Sequence, residues 1–287
     1  MLQTNSKMRE RCECLSCGSS DLNELSSGTF EDIRSFIDAD PWGKNPMEYI
    51  ANERWCFVRC DHCGMKFHRF ILSPEWNEVR FSQWMNEGAI EQFEQEHCKQ
   101  NHATAHVQHI LRMEKLVGPS PRLLDFGCGS GDFLNMARAF GFNSAGVDRS
   151  VARRKIAGFE IANDLSEIDG DFDVITMFEV LEHLDDPLDV LEQLTMRLRP
   201  NGVFAIEVPD CSGVTNIVSD YDYRNIHPLD HINAFEPRTL VEMLKRVGLR
   251  PIRKQPAYVT TEPIRVAKDI AKAVAKQSTT QRYFRFW

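Results

Sequence analysis

The sequence has no run of about 18 consecutive apolar residues, so nothing in it reads as a membrane-spanning helix. Residues 1–11 are polar and mixed in charge and lack the apolar stretch of a secretory signal. The expectation is a cytoplasmic protein. There is no excess of basic charge: 34 Lys and Arg face 42 Asp and Glu, a formal net charge of −8. That speaks against a general nucleic-acid binder, though not against a local basic patch. No internal repeat exists beyond two short cysteine loops. With 287 residues, 42% apolar and 26% charged, the chain reads as soluble and globular. It is long enough for one large domain, or for a standard domain with a small module.

Cysteine is plentiful and unevenly spread. Of nine, six (Cys12, Cys14, Cys17, Cys56, Cys60 and Cys63) fall in the first 63 residues. A secreted disulfide scaffold would be shorter and would carry a signal, so clustered cysteines point to metal. Cys14-Leu15-Ser16-Cys17-Gly18 and Cys60-Asp61-His62-Cys63-Gly64 are paired Cys-x-x-Cys-Gly loops. Zinc takes four thiolates tetrahedrally, and two such turns supply them. The loops resemble zinc-ribbon knuckles. Four thiolates close the coordination sphere, so the site reads as structural, its binding energy spent on folding a segment too small to fold alone. The 42-residue gap between the pairs implies an insertion. Cys12 and Cys56 are spare and able to replace a ligand, and a redox dithiol is the alternative. Residues 54–59, Arg-Trp-Cys-Phe-Val-Arg, read either as an alternating strand or as an aromatic, basic surface for stacking bases.

Residues 1–75 thus read as a zinc module, and 76–117 as a helical linker or lid. Gly118-Pro119-Ser120-Pro121 then punctuates the chain. From Arg122 to about Gln255, short apolar runs alternate with amphipathic stretches, the sign of βαβ units and a parallel sheet. The spacing predicts strands at 122–126, 144–147, 159–162, 172–177 and 203–208, and helices at 131–140, 187–198 and 237–247. The α/β domain spans 118–262. Residues 263–287 follow as a helix with Lys268, Lys272 and Lys276 on one stripe, then an aromatic tail.

Leu124-Asp125-Phe126-Gly127-Cys128-Gly129-Ser130-Gly131 carries a strand into a helix across three glycines. Such a turn lets a ligand approach the backbone without a Cβ in the way. A second strand ends in Asp148, 17 residues after Gly131, where a Rossmann-like unit places a carboxylate on ribose hydroxyls. Asp125 just ahead of the turn would repel a pyrophosphate but could meet the ammonium of an amino-acid moiety. The turn therefore favours S-adenosylmethionine over a dinucleotide.

These residues resemble motif I of the class I S-adenosylmethionine-dependent methyltransferases. Phe172-Asp173-Val174-Ile175-Thr176 is similar to that family's fourth strand. Glu179-Val180-Leu181-Glu182-His183-Leu184-Asp185-Asp186-Pro187 resembles the segment after it in the small-molecule branch, which includes ubiquinone-pathway and sugar methyltransferases. Leu198-Arg199-Pro200-Asn201-Gly202-Val203 matches the turn before strand five. The resemblance covers about residues 105–255 and implies a seven-stranded Rossmann-like domain. It places Gly127, Gly129 and Gly131 in the cofactor turn, Asp125 near the methionine amino group and Asp148 on the ribose. Asp164 and Leu165 would lie by the adenine, and Phe178 with Glu179 beside the methionine half. A sixth strand is expected near Ile252 and a seventh at 258–260.

Methyl transfer from a sulfonium is an in-line displacement, and transfer to a hydroxyl that is not acidic also needs a base. Histidine suits that role near neutral pH. His231 is the first candidate, equally able to be structural, and His183 the second, read more readily as a cap or core contact; His227 and Tyr223 rank third. Cys98, His102, His106 and His109 share one helical face, a stripe that could hold metal or line a cleft. The expected acceptor is a small molecule, a hydroxyl of a sugar or secondary metabolite. An RNA-modifying enzyme using the zinc ribbon and a non-catalytic S-adenosylmethionine-binding scaffold are the alternatives.

Overall fold

The computed structural model describes residues 6–85, 88, 99–150, 153, 154 and 160–252. The strands in chain order are β1 (Met8–Glu10), β2 (Leu22–Thr29), β3 (Arg54–Cys60), β4 (Lys66–His68), β5 (Phe70–Leu72), β6 (Arg122–Phe126), β7 (Asn143–Val147), β8 (Phe172–Phe178), β9 (Leu198–Glu207) and β10 (Asn233–Ala234). They belong to two compact units. One gathers residues 6–88 with Leu181–Val190 and Val208–Met243; the other gathers 99–180 with Leu191–Glu207 and 244–252. This differs from the linear boundaries 1–75, 76–117 and 118–262. Residues 181–190 and 208–243 pack with the N-terminal residues, because the antiparallel sheet there is completed by a strand from far along the chain.

The second unit holds a parallel sheet in the order β7-β6-β8-β9. β8 is almost continuously buried, as a strand flanked on both sides must be. The helix Asp132–Ala139 starts at Gly131, whose φ of 79° is left-handed, and buries Phe133, Leu134 and Ala137. These pack with Ile110 and Met113 of the helix Lys99–Met113, with Leu123 and Val174 of the sheet, and with Phe142 and Ala205. The chain runs from β6 out to β7 and returns to β8 on the other side. The topological switch point therefore lies between the carboxyl ends of β6 and β8, where such sheets bind ligands. The strand expected at 159–162 is reduced, among the described residues, to a bridge from Ala162 to Val147. Four parallel strands are described. The strand expected near Ile252 falls at the end of the described residues. The one at 258–260 and the C-terminal helix lie outside them.

In the first unit an antiparallel sheet runs β10-β4-β3-β2, beside the pair β1-β5. Trp55, Phe57 and Leu72 bury against Phe30, Ile33, Ile50 and Trp84, and against Tyr223, Ile226 and Leu229 from beyond residue 208. Trp55 and Phe57 are thus core residues. This corrects the reading of 54–59 as a stacking surface: only its two arginines are exposed. Buried Lys66 donates to the carbonyls of Cys211 and Val214 at 3.1 and 2.9 Å and pairs with Glu236 at 2.5 Å. It ties the later segment to β4.

Candidate functional site

At the carboxyl end of β6 the three glycines of the turn all take positive φ: 77° at Gly127, 56° at Gly129 and 79° at Gly131. An L side chain rarely adopts these angles, and a Cβ on Gly127 would collide with the Val180 side chain. The turn is closed by the Gly127 and Cys128 amides donating to the Val147 carbonyl at 2.8 and 3.1 Å. Asp148, at the end of β7, accepts the Gly129 amide on Oδ2 and the Ser150 amide on Oδ1, each at 2.8 Å. Each carboxylate oxygen still has a lone pair to offer to a hydroxyl.

Asp125 is buried and accepts a hydrogen bond from Thr176 Oγ1 at 2.7 Å. Burial first, and then the charge of Asp148, push its carboxyl up to about 7 against that hydrogen bond. A buried acid of this kind ionises readily when a cation arrives beside it. Asp164 is exposed. It caps the turn Leu165–Glu167 by accepting the Ser166 amide and hydroxyl at 2.9 and 2.7 Å, which hold it below the ordinary carboxylate range.

Phe178 ends β8. His109 stacks on it with ring centroids 4.6 Å apart, and Phe133 meets it edge-on at 5.1 Å. His109 Nε2 lies 2.8 Å from a carboxylate oxygen of Glu207, the last residue of β9. The stripe expected on this helix resolves in part: His106 meets Phe133 edge-on, and His109 turns to Glu207 and Phe178. Cys98 and the side chain of His102 lie outside the described residues. Glu179 follows Phe178 with φ 54° and donates its amide to the Glu207 carbonyl at 2.8 Å. A non-glycine residue in this region costs on the order of 1–3 kcal/mol.

In the other unit His183 and His231 are neighbours, their rings edge-to-face at 4.8 Å. His183 Nδ1 donates to the Asp230 carbonyl at 3.0 Å and faces the Asp230 carboxylate at 3.1 Å. Burial opposes the charged imidazole, but the charge and hydrogen bond of Asp230, with Glu182, bring His183 up to about 9. His231 goes the other way, to about 3, by burial and by the repulsion of His183. Its buried Nδ1 has no partner among the described residues. Arg80 secures Asp230 at 2.8 Å and also donates to the Leu229 carbonyl. Glu182, His183 and His231 each bring one ligand atom within 4.8 Å of the others, a set able to hold a divalent cation. A small cleft lined by Asn77, Arg80, His183, Asp185 and Asp230 opens beside them.

His227 and Tyr223 form a separate, closed network. His227 Nδ1 accepts the Leu229 amide at 3.1 Å, so Nε2 carries the proton and faces Asp40 Oδ2 at 3.1 Å. Tyr223 donates to the same oxygen at 2.5 Å. With its polar atoms engaged among themselves, the trio ties the loop down and offers no free base.

Cys14, Cys17, Cys60 and Cys63 bring their sulfurs within 4.8 Å of one another, with Cys14 and Cys63 at 3.4 Å and Cys17 and Cys60 at 3.6 Å. Four thiolates about 2.3 Å from a tetrahedral zinc would be spaced by about 3.8 Å, so the donor set fits that metal. The Ser16 amide points at the Cys14 sulfur at 3.5 Å. Against burial, the amides of Cys63 and His62 help bring the Cys60 thiol down to about 7. Cys12 is exposed, and Cys56 points to Glu24 at 3.5 Å; neither joins the cluster. Arg11 and Arg80 were silent in the sequence, and Asp230 and Asn233 stood out only by their place beside His231, because a polar residue whose partner lies far along the chain leaves no periodic trace.

A family model described as a methyltransferase domain matches residues 95–254. The ubiquinone biosynthesis O-methyltransferase of Ralstonia nicotianae is 33% identical over 177 residues, covering 51% of this chain and 71% of the relative. The enzyme of the same description from Thiobacillus denitrificans is 28% identical over 150 residues, 45% of this chain and 64% of its own length, so this chain spans less than two thirds of that relative. Among solved structures, an S-adenosylmethionine dependent methyltransferase from Mesorhizobium loti aligns with 18% identity and a TM-score of 0.43 over 59% of this chain and 92% of that one. With the family model covering more than half of the sequence, the chain belongs to the methyltransferase-domain family, of the class I S-adenosylmethionine-dependent kind.

Proposed function

We propose that this protein transfers a methyl group from S-adenosylmethionine to a hydroxyl oxygen of a small molecule, such as a sugar or secondary metabolite. The observation that carries the donor half is the Asp148 carboxylate, locked to the Gly129 amide at the mouth of a turn whose three glycines all take left-handed φ. In this reading Asp148 binds the ribose and the turn of Gly127, Gly129 and Gly131 admits the cofactor. Asp125 ionises to meet the amino group, and Phe178, Asp164 and Leu165 border the ligand. The bound cofactor supplies an electrophilic methyl on a sulfonium. The small-molecule assignment rests on the relatives named as ubiquinone biosynthesis O-methyltransferases.

His231 and His183 act on the acceptor. His231 is neutral near pH 7, and its buried Nδ1, without a partner among the described residues, is the ring nitrogen left to receive the hydroxyl proton. The His183 imidazolium is held by Asp230 and neutralises charge as the proton moves. Cys14, Cys17, Cys60 and Cys63 hold a structural zinc. An RNA substrate is disfavoured by the buried Trp55 and Phe57.

The test is calorimetric titration with S-adenosylmethionine beside an Asp148→Ala variant, followed by methyl-transfer assays on catechols, phenols and sugars. Micromolar binding abolished by the substitution, with transfer to one of these acceptors, is the expected result. A folded, zinc-loaded protein that binds no S-adenosylmethionine overturns the reading.

A further inference from the structure

His183 and His231 lie on segments 48 positions apart, and useful proton transfer needs their rings fixed to within a fraction of an ångström. The turn Leu181–His183 carries the first and the loop before β10 carries the second. Besides the direct contact of His183 with Asp230, a second side chain ties the two segments at the backbone. Asn233, 1% exposed, donates through Nδ2 to the carbonyls of Leu181 at 3.1 Å and Leu184 at 2.7 Å, bracketing the His183 turn. Its own backbone pairs with Phe67 of β4. Its Oδ1 accepts from Arg11 Nη1 at 2.9 Å, which fixes the amide the right way round.

Arg11 is buried as well. Nη2 donates to the carbonyls of Ile232 and His68, both at 2.7 Å, and Nε to His68 at 2.9 Å; the guanidinium lies over the Phe67 ring at 5.1 Å. A buried guanidinium that bonds to carbonyls and an amide, rather than to a carboxylate, is costly to desolvate. Its fork geometry is what lets it hold Ile232 and Asn233 together, on either side of their peptide bond, which a lysine cannot match.

We infer that Asn233, locked by Arg11, is the positioning residue that sets the placement of the His183 ring against the His231 ring. The segment ahead of the first cysteine knuckle thereby contributes to handling the acceptor, although it carries no reacting group. This rests on the reading of the two histidines as acceptor-handling residues.

Asn233→Asp is the decisive variant. It keeps the size and still accepts from Arg11, but has no N–H for the Leu181 and Leu184 carbonyls. Arg11→Met and Arg11→Lys form the second pair, in case the aspartate variant fails to fold. Each is examined for zinc content, for S-adenosylmethionine affinity, for the nitrogen resonances of the histidine rings, and for kcat and KM of the acceptor. The expected result is unchanged zinc and cofactor affinity, displaced His183 and His231 resonances, and kcat lower by about tenfold to a hundredfold with little change in KM. Arg11→Lys recovers part of the loss. A folded Asn233→Asp protein with the native ring resonances overturns the clamp. Displaced resonances with native turnover leave the clamp standing and overturn instead the role given to the histidines.

Discussion

The amide of Gly129 donates to Oδ2 of Asp148 at 2.8 Å, so the turn after β6 and the acid after β7 are one construction. The φ of 56° at Gly129 aims the amide, and the carboxylate fixes the turn before any ligand arrives. Removing this charge-assisted bond together with the ribose contacts proposed for Asp148 is expected to weaken S-adenosylmethionine binding by at least tenfold in Asp148→Asn, and more in Asp148→Ala. Calorimetry on variants shown by thermal melting to be folded checks this; affinity within twofold of the native value would refute it.

Gly127→Ala brings two costs at once, a left-handed φ and a clash with Val180. Together they are expected to destabilise the fold by about 1–3 kcal/mol and to impair cofactor binding. Adding Val180→Ala relieves the clash but not the backbone strain, so the double variant recovers part of the melting temperature. Full recovery would assign the whole effect to packing.

Asp125 supplies a pH dependence. With its carboxyl raised to about 7 in the free protein, ionising it to meet an ammonium costs free energy below that pH. Affinity for S-adenosylmethionine should therefore fall roughly tenfold per pH unit below 7 and level off above it. The stability linkage has the opposite slope: an acid whose folded value exceeds its ordinary 3.8 makes the ligand-free fold less stable as pH rises from about 3.8 to 7. Thr176→Val removes a bond that favours the ionised form, and moves the affinity profile to higher pH. Titrations in buffers of differing ionisation enthalpy should register proton release on binding near pH 6; none would remove Asp125 from the cofactor site.

One zinc per chain is expected by elemental analysis. Cys14→Ser or Cys60→Ser should lose it, whereas Cys12→Ser and Cys56→Ser should retain it, since neither lies in the cluster. Chelation should abolish the near-ultraviolet circular dichroism of the buried Trp55 and Trp84, because the binding energy of such a site, about 10–16 kcal/mol, is largely folding energy. A native melting temperature after metal removal would show that the knuckles do not need it.

Much of the second unit was legible because its signals are local. β6, β7 and β8, the glycine turn and the helix that follows Gly131 fall within a residue or two of where apolar runs and punctuation put them, as does the helix Pro237–Arg246, which starts in the first unit. The cysteine pairs were legible for the same reason: each knuckle carries its own spacing. The histidine stripe was legible only in part, since the helical period that aligns His106 and His109 says nothing of the Phe133, Phe178 and Glu207 side chains they meet.

By itself the sequence determined the parallel α/β unit, the shape of the cofactor turn, the acid that faces it and the four-thiolate cluster. In each, the residues that interact are close in sequence or are repeated in a pattern that the backbone geometry dictates. Only the tertiary structure decided that residues 233–234 complete the sheet of β2 to β4. It likewise decided that Asp230, held by Arg80, sets the charge on His183, and that Arg11 reaches Asn233 across 222 positions. A hydrogen bond between buried polar groups depends on distance in space, and no period or spacing in the chain encodes which distant partner closes it.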